Sequence, residues 1–189
     1  MNDSNASDGT LVRLACQGDA SAFDQLVRRH YGAAYAVALA VLGSRSTAED
    51  VCQDSWLRAL ERLGDCRDPE RFVFWFLQIV RNRAHNRRDY DRVRLAEPLE
   101  SGAAQGMEDP EQNLRRERLR IRLERAIGTL PEIEREVVLL HDLEGWGHRD
   151  IAQSLGISEG MSRQHLFQAR RRLRAELAGH AGGGADNDG

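Results

Sequence analysis

The sequence predicts an all-α fold of two small helical domains joined by a flexible linker, and three observations predict it. Apolar residues recur at helical spacing over residues 10–90 and again beyond residue 129, with no alternating run that would argue for strands. Between these stretches, from about Leu95 to Gln112, the chain turns polar and acidic and carries Pro98, Gly102, Gly106 and Pro110, the composition of a linker. The whole is 189 residues, 41% hydrophobic and 30% charged, enough for one or two ordinary globular domains. The expected boundaries are a first domain over 10–94, the linker over 95–112, a second domain over 113–177 and a Gly- and Asp-rich disordered tail over 178–189.

In the first domain a short helix from about Thr10 to Gln17 stops at Gly18. Asp19 caps a longer helix whose inner face is Phe23, Leu26, Val27, His30, Tyr31, Ala34, Ala38 and Val41, ending near Gly43. Ser46 and Glu49 have capping-box spacing and open a helix with Val51, Cys52, Ser55, Trp56, Ala59, Leu60 and Leu63 inward. A polar turn from Gly64 to Asp68 leads to Pro69 at a helix start. Phe72, Trp75, Phe76, Ile79 and Val80 give that helix a core face, and beyond Arg81 it becomes basic.

The second domain resumes near Asn113 with a helix through Ile127. Thr129 and Glu132 again have capping-box spacing around Pro131, and Val137, Val138, Leu140 and Leu143 form the next stripe. Gly147 N-caps a short helix with Ile151, Ala152 and Leu155 inward, and Gly156 ends it by tolerating the left-handed backbone of a sharp turn. Ser158 caps the last helix, where Leu166, Ala169 and Leu173 face inward while Arg163, Gln164, His165 and Gln168 face out. A short capped helix, a Gly turn and a capped basic helix form a helix-turn-helix with its recognition helix. That unit by itself fits a repressor, a response-regulator output domain or a transcription initiation factor.

Charge distribution says more than the net value of −3. Arg81 to Arg94 holds six arginines against Asp89 and Asp91, and Arg163 to Arg174 holds five arginines and no acid. Two basic patches therefore flank an acidic connector. No segment is apolar enough to span a bilayer, and the start MNDSNASDGT has neither a basic nor an apolar signal segment, so a cytoplasmic location is expected. Cys16, Cys52 and Cys66 form no CxxC pair and leave an odd count, which argues against a disulfide framework. The six histidines show no zinc spacing; His141 and His148 stand seven apart across an expected loop. No phosphate loop, nucleophile elbow or paired-carboxylate context is present, so no metal, no cofactor and no enzymatic activity is expected.

Residues 48–60, AEDVCQDSWLRAL, and the following RFVFWFLQIVRNRAHNRRDYDR closely resemble the second conserved region of bacterial RNA polymerase sigma factors. Leu130 to Leu173 resembles their fourth region, and the two in this order resemble the small extracytoplasmic-function (ECF) group. The resemblance implies that Glu49, Asp50, Gln53 and Asp54 dock on the clamp coiled coil of the polymerase largest subunit, with the flap as a further contact. Asp50 and Asp54 are i, i+4 neighbours with Gln53 beside them, one polar patch suited to basic partner residues. It further implies that Arg81, Asn82, Arg83, Asn86, Arg87 and Arg88 bind the minus-ten element, the turn Gly64 to Asp68 walling a pocket for an unstacked base. Phe72, Trp75 and Phe76, at helical spacing, are read as core, not as wedges.

In the second domain the resemblance places Ser158, Glu159, Arg163, Gln164 and His165 near base edges of the minus-thirty-five element, and Arg170, Arg171, Arg172 and Arg174 on phosphates. Two positions depart from the family: Ser162 stands where an apolar residue is usual, and Gly147 where a hydroxylated cap is common. Met161 is expected to take over inward packing from Ser162. The implied function is that of an ECF sigma factor, a promoter-specificity subunit that binds core RNA polymerase and assists strand opening, with an anti-sigma factor as a further partner. The alternative is a helix-turn-helix regulator that binds duplex DNA as a dimer without being a polymerase subunit.

Overall fold

The computed structural model describes residues 6–94 and 110–179, and its regular elements are all helical. The order is α1 (Asp8–Cys16), α2 (Ala20–Leu42), α3 (Arg45–Glu61), α4 (Phe72–Arg94), α5 (Pro110–Gly128), α6 (Glu132–Val138), α7 (His148–Leu155) and α8 (Glu159–Gly179). Short 3₁₀ turns at Leu63–Asp65 and Pro69–Arg71 join α3 to α4, and a π-helical turn, Leu139–Leu143, extends α6. The linker expected over 95–112 lies outside the described residues as far as 109, as does the tail from 180 onward. Helix α5 begins at Pro110, three residues before the expected start, with proline at the position where its missing N–H costs nothing.

The N-terminal helices pack as expected around an aromatic centre. Phe72 and Phe76 are fully buried, with ring centroids 5.7 Å apart, and the Trp56 ring lies 3.8 Å from Phe76 and meets Phe23 edge-on at 5.9 Å. Such aromatic pairs add about 0.5–1.5 kcal/mol beyond the burial of their area. Their depth makes them core residues. Cys52 lies in the same core, and burial pushes its thiol up to about 12, so it serves as a small hydrophobe. At the edge of the bundle Ser7 caps α1 by accepting from the Thr10 N–H, which starts the helix two residues early. Asp8, now inside α1, ties it to α2: it accepts from Arg29 Nη1 at 2.6 Å and pairs with His30 Nε2 at 2.7 Å.

Both expected capping boxes are absent. Helix α3 begins at Arg45 with Ser44 as its N-cap, and Ser46 makes no cap bond to the backbone. Pro131 is the N-cap of α6, and Thr129 donates instead to the carbonyl of Ala126. Three residues assigned to inner faces are exposed: Tyr31 at 40%, Leu60 at 49% and Leu143 at 64%. Leu143 falls outside the stripe because the π turn inserts an extra residue into the helical repeat and so rotates its own last positions away from the core.

Helix α2 is buried on nearly every side: Ala33, Ala34, Ala36, Val37, Ala38, Ala40 and Val41 are all inaccessible. One face packs on α1, α3 and α4, and the other receives α6 and the π turn. The core therefore runs without a break from Leu11 to Ala169. Gly32 faces the Glu144 carboxylate, the flexible end of which a Cβ there would meet at 2.1 Å and displace. Phe74 meets Trp146 edge-on at 6.0 Å, Arg135 donates from Nη1 to the Ala40 carbonyl at 2.7 Å, and Arg45 pairs with Glu124.

Candidate nucleic-acid and polymerase interface

The exposed side of α3 carries Glu49, Asp50, Gln53 and Asp54, all turned to solvent on consecutive turns. Without the capping box, Glu49 is left available on that surface. Leu57 is 63% exposed and extends the row with Leu60, so the face mixes carboxylates with apolar side chains, as protein interfaces do. Sequence reasoning missed Leu57, and its lack of an apolar partner at i−3 or i−4 on the inner face is the signal that marked it. Beside it, Arg83 Nη2 donates to Asp54 Oδ2 at 2.8 Å, and Leu57, Arg58 and Glu61 complete an open recess. Arg83, assigned to DNA, thus sits at the border of the acidic face.

The other five positions nominated on α4 point in different directions. Asn82 and Asn86 are exposed one turn apart. Arg87 is held by Asp91 through two bonds from Nε, at 3.0 and 2.9 Å. Arg81 is buried. It donates from Nε to Glu136 Oε1 at 2.9 Å and from Nη2 to Ser154 Oγ at 2.7 Å, reaching both α6 and α7. Glu136 is 2% exposed, and burial pushes its carboxyl above the ordinary value against the pull of Arg81. Arg88 Nη1 donates to Glu132 Oε2 at 2.5 Å, and His85 Nε2 lies 3.3 Å from the other oxygen of the same carboxylate. Of the six, only the two asparagines face solvent without an ion-pair partner.

The helix-turn-helix forms as the sequence predicts. Gly147 caps α7 in extended backbone without a side-chain bond, Gly156 follows at φ 68°, and Ser158 Oγ accepts from the Met161 N–H at 3.2 Å. Ile151, Leu166 and Ala169 are buried between α7 and α8. Met161 is 46% exposed and does not replace Ser162 in the core. Ser162 itself is fully buried, and its hydroxyl is satisfied by His148 Nδ1 at 3.0 Å. Burial and the neighbouring His141 ring, 4.9 Å away, hold His148 below the usual histidine range, favouring the neutral ring.

The outer face of α8 presents Glu159, Arg163, Gln164, Arg170, Arg171, Arg172 and Arg174 to solvent, with His165 half-buried. Arg163 pairs with Glu159 at 2.9 Å and Arg172 with Glu134 at 3.1 Å. Arg170 makes a two-pronged bond to Asp142, at 3.0 and 2.5 Å, which holds that carboxyl below its ordinary value. Among the described residues no partner meets Arg171 or Arg174, and no group of three His, Cys, Asp or Glu side chains could hold a metal. Phe167, 62% exposed between Gln164 and Arg171, is an apolar side chain on the same face that sequence reasoning passed over. No helix among the described residues is long and apolar enough to cross a membrane.

Residues 26–92 match the model of Sigma-70 region 2, and residues 120–173 match that of Sigma-70, region 4. The chain is 31% identical to the ECF RNA polymerase sigma factor SigE of Mycolicibacterium smegmatis, over 96% of this chain and 72% of that one. It is 33% identical to RfaY of Xanthomonas campestris over 86% of its own length, which spans 42% of that longer protein. The structure of CnrH in complex with the cytosolic domain of CnrY superposes with a TM-score of 0.66 at 26% identity, covering 92% of this chain and 99% of CnrH. With both regions present in this order, the chain belongs to the extracytoplasmic-function RNA polymerase sigma factors, subunits that bind core polymerase and promoter DNA in transcription initiation.

Proposed function

We propose that this chain seats on core polymerase through Glu49, Asp50, Gln53 and Asp54 and clamps a two-part promoter with α4 and α8, acting in the cytoplasm without covalent chemistry. One observation carries the reading: an exposed acidic and apolar face on α3 and arginine-rich stretches on α4 and α8 occur together in one chain. On α4, Asn82 and Asn86 read an unstacked base while Arg81, Arg83, Arg87 and Arg88 hold phosphates. On α8, Ser158, Glu159, Arg163, Gln164 and His165 lie along base edges, and Arg170, Arg171, Arg172 and Arg174 grip the backbone. The first domain spans residues 10–94 and the second 113–177. An anti-sigma partner belongs to the same reading, since CnrH was solved with the cytosolic domain of CnrY.

Purified chain and core polymerase, assayed by co-elution and run-off transcription with mapped start sites, test this directly. Stoichiometric co-elution with promoter-dependent transcripts is expected; dimeric binding to palindromic duplex DNA without core would overturn it. Asp54→Arg is expected to weaken core binding while leaving the circular dichroism melt unchanged. Unaltered affinity removes Asp54 from the interface.

A further inference from the structure

Helix α1 packs along the two 3₁₀ turns that join α3 to α4. Gly9, Arg13 and Cys16 recur at i, i+4 and i+7, so they share one stripe of α1. The first two meet Glu70 of the second 3₁₀ turn, whose carboxylate lies against Gly9 and pairs with Arg13 at 3.8 Å. Cys16, further along the same stripe, lies beside the first 3₁₀ turn, which ends in Cys66. Cys66 is held there by its N–H, which donates to the Leu63 carbonyl at 3.1 Å, and by its Sγ, which donates to the Asp68 carbonyl at 3.5 Å. Burial pushes the Cys66 thiol up, and the Cys16 sulfur is near enough for its charge to push the same way. Far apart in sequence, the two cysteines are neighbours in the fold. Cys16 is exposed and Cys66 is buried, and both are free thiols in this structure.

We propose that Cys16 and Cys66 are a reversible dithiol–disulfide pair that, on exposure to a peroxide, staples α1 to the turn Gly64 to Asp68 and lowers promoter opening. The effect on opening rests on the assignment of that turn to the wall of the base pocket. In a reducing compartment such a pair rests as two thiols, and its bond is transient. The exposed Cys16 sulfur, as thiolate, attacks one peroxide oxygen; the O–O bond breaks, and hydroxide leaves and takes a proton to become water. Cys16 is then a sulfenic acid. The Cys66 sulfur attacks the Cys16 sulfur, the S–S bond forms, and the departing hydroxide takes the Cys66 proton and leaves as a second water. Two thiols are oxidised by two electrons and one peroxide is reduced to two waters. Gly18, at φ 94° with open space around it, follows the end of α1 and lets its last turn adjust to the bond. The bond replaces the contact from Cys66 Sγ to the Asp68 carbonyl, but that carbonyl keeps the Arg71 N–H at 2.9 Å, so the turn is re-aimed and not unfolded. Cys52, fully buried, takes no part.

Trypsin places the three cysteines on separate peptides, residues 14–28, 46–58 and 63–67, so any linkage between them is assigned unambiguously. The full chain is treated with a small excess of hydrogen peroxide, the peroxide is removed with catalase, and the products are mapped by mass spectrometry without reduction. The expected product is the first peptide joined to the third, lighter by two hydrogens than the two thiols and separated again by dithiothreitol, with Cys52 still open to alkylation after unfolding. Cys16 oxidised to a sulfenic or sulfinic acid beside an unchanged Cys66 thiol, a bond to Cys52, or a dimer joined through two Cys16 sulfurs each overturns the pair. Run-off transcription with reduced core polymerase in thiol-free buffer reads the consequence. The peroxide-treated wild type is expected to give several-fold less transcript than the reduced chain and to recover after dithiothreitol, whereas Cys16→Ser keeps its transcript through the same treatment. Equal transcription from oxidised and reduced wild type overturns the link to promoter opening. Absence of transcript from the reduced wild type would count against the sigma-factor reading, and the peptide map scores the cysteine pair independently of it.

Discussion

Helices α4 and α8 are both long, both arginine-rich and both assigned to promoter DNA, yet the structure treats their cations in opposite ways. On α8 the guanidiniums stand at the surface, and Arg163 has only an exposed i, i+4 partner, a bond worth about 0.3–0.5 kcal/mol. On α4 the guanidinium of Arg81 is buried and divided between two helices of the other half of the chain. The difference teaches that arginine content alone does not measure exposure: on α8 the carboxylate partners of Arg163 and Arg170 lie at the surface and Arg171 is exposed, whereas on α4 Arg81 is buried against α6 and α7.

The largest test of this contrast is Arg81→Ala set against Arg171→Ala. Removing Arg81 strands the Glu136 carboxylate in a dry site, and breaking one side of a buried pair costs about 3–5 kcal/mol. Scanning calorimetry is expected to show a clear loss of thermal stability for Arg81→Ala. Arg171→Ala, at an exposed position, should stay within about 0.5 kcal/mol of the wild type. Equal melting temperatures would show that the two helices are alike after all.

A smaller effect separates structural from functional cations within the N-terminal half. Asp8 is mostly buried; burial opposes its ionisation, but the bonds and charges of His30 and Arg29 outweigh it and hold the carboxyl below its ordinary value. A lowered carboxyl contributes stability above the unfolded-state pKa and loses it as pH falls through the folded-state one. Asp8→Asn should therefore cost about 1.5–3 kcal/mol at neutral pH, by loss of charge-assisted hydrogen bonds. The deficit should shrink towards zero as the buffer is taken below the ordinary carboxyl range. A deficit constant with pH would show that Asp8 acts by shape alone.

How much of this was legible in the sequence depends on whether the determinant was local. Gly156, Ser158 and the Asp19 cap are where spacing puts them, because a left-handed turn or an N-cap bond needs only its own few residues. The box of Thr129 and Glu132 failed because spacing cannot show a distant competitor, and that of Ser46 and Glu49 because the helix starts earlier, at Arg45. Glu132 is drawn to Arg88 and His85, 44 residues away in the case of Arg88. One trace of the packing of α6 on α2 was in plain view: residues 36–42, AVALAVL, are apolar around the whole circumference of that stretch of α2, and a helix of that kind must be covered on every side. The Arg81 contact was not legible, since the same arginine periodicity describes a solvated face.

On α8 the expected effects are smaller and concern reading, not folding. Arg163→Ala should reduce discrimination at the upstream element by about 1–3 kcal/mol if it contacts a base edge. The check is binding to a set of single-base variants of the mapped promoter. A uniform loss across all of them would move Arg163 to the phosphate group, with Arg171 and Arg174.

The smallest expected effect tests what holds that reading face in register. Ser162 sits where an apolar residue would pack, and its hydroxyl bonds to the neutral His148 ring of α7, so one neutral hydrogen bond links the two helices of the motif. Ser162→Ala should cost about 0.5–1.5 kcal/mol at neutral pH. Because His148 is held below the usual histidine range, stability tied to its neutral form is complete above the ordinary histidine pKa and declines as pH falls through the lowered one. Wild type and Ser162→Ala should both lose stability between about pH 7.5 and about pH 5, because the burial and the His141 ring that lower His148 remain in the variant. No measurable cost at neutral pH would mean that the hydroxyl fills space and nothing more, and α8 would then owe its register to Ile151, Leu166 and Ala169 alone.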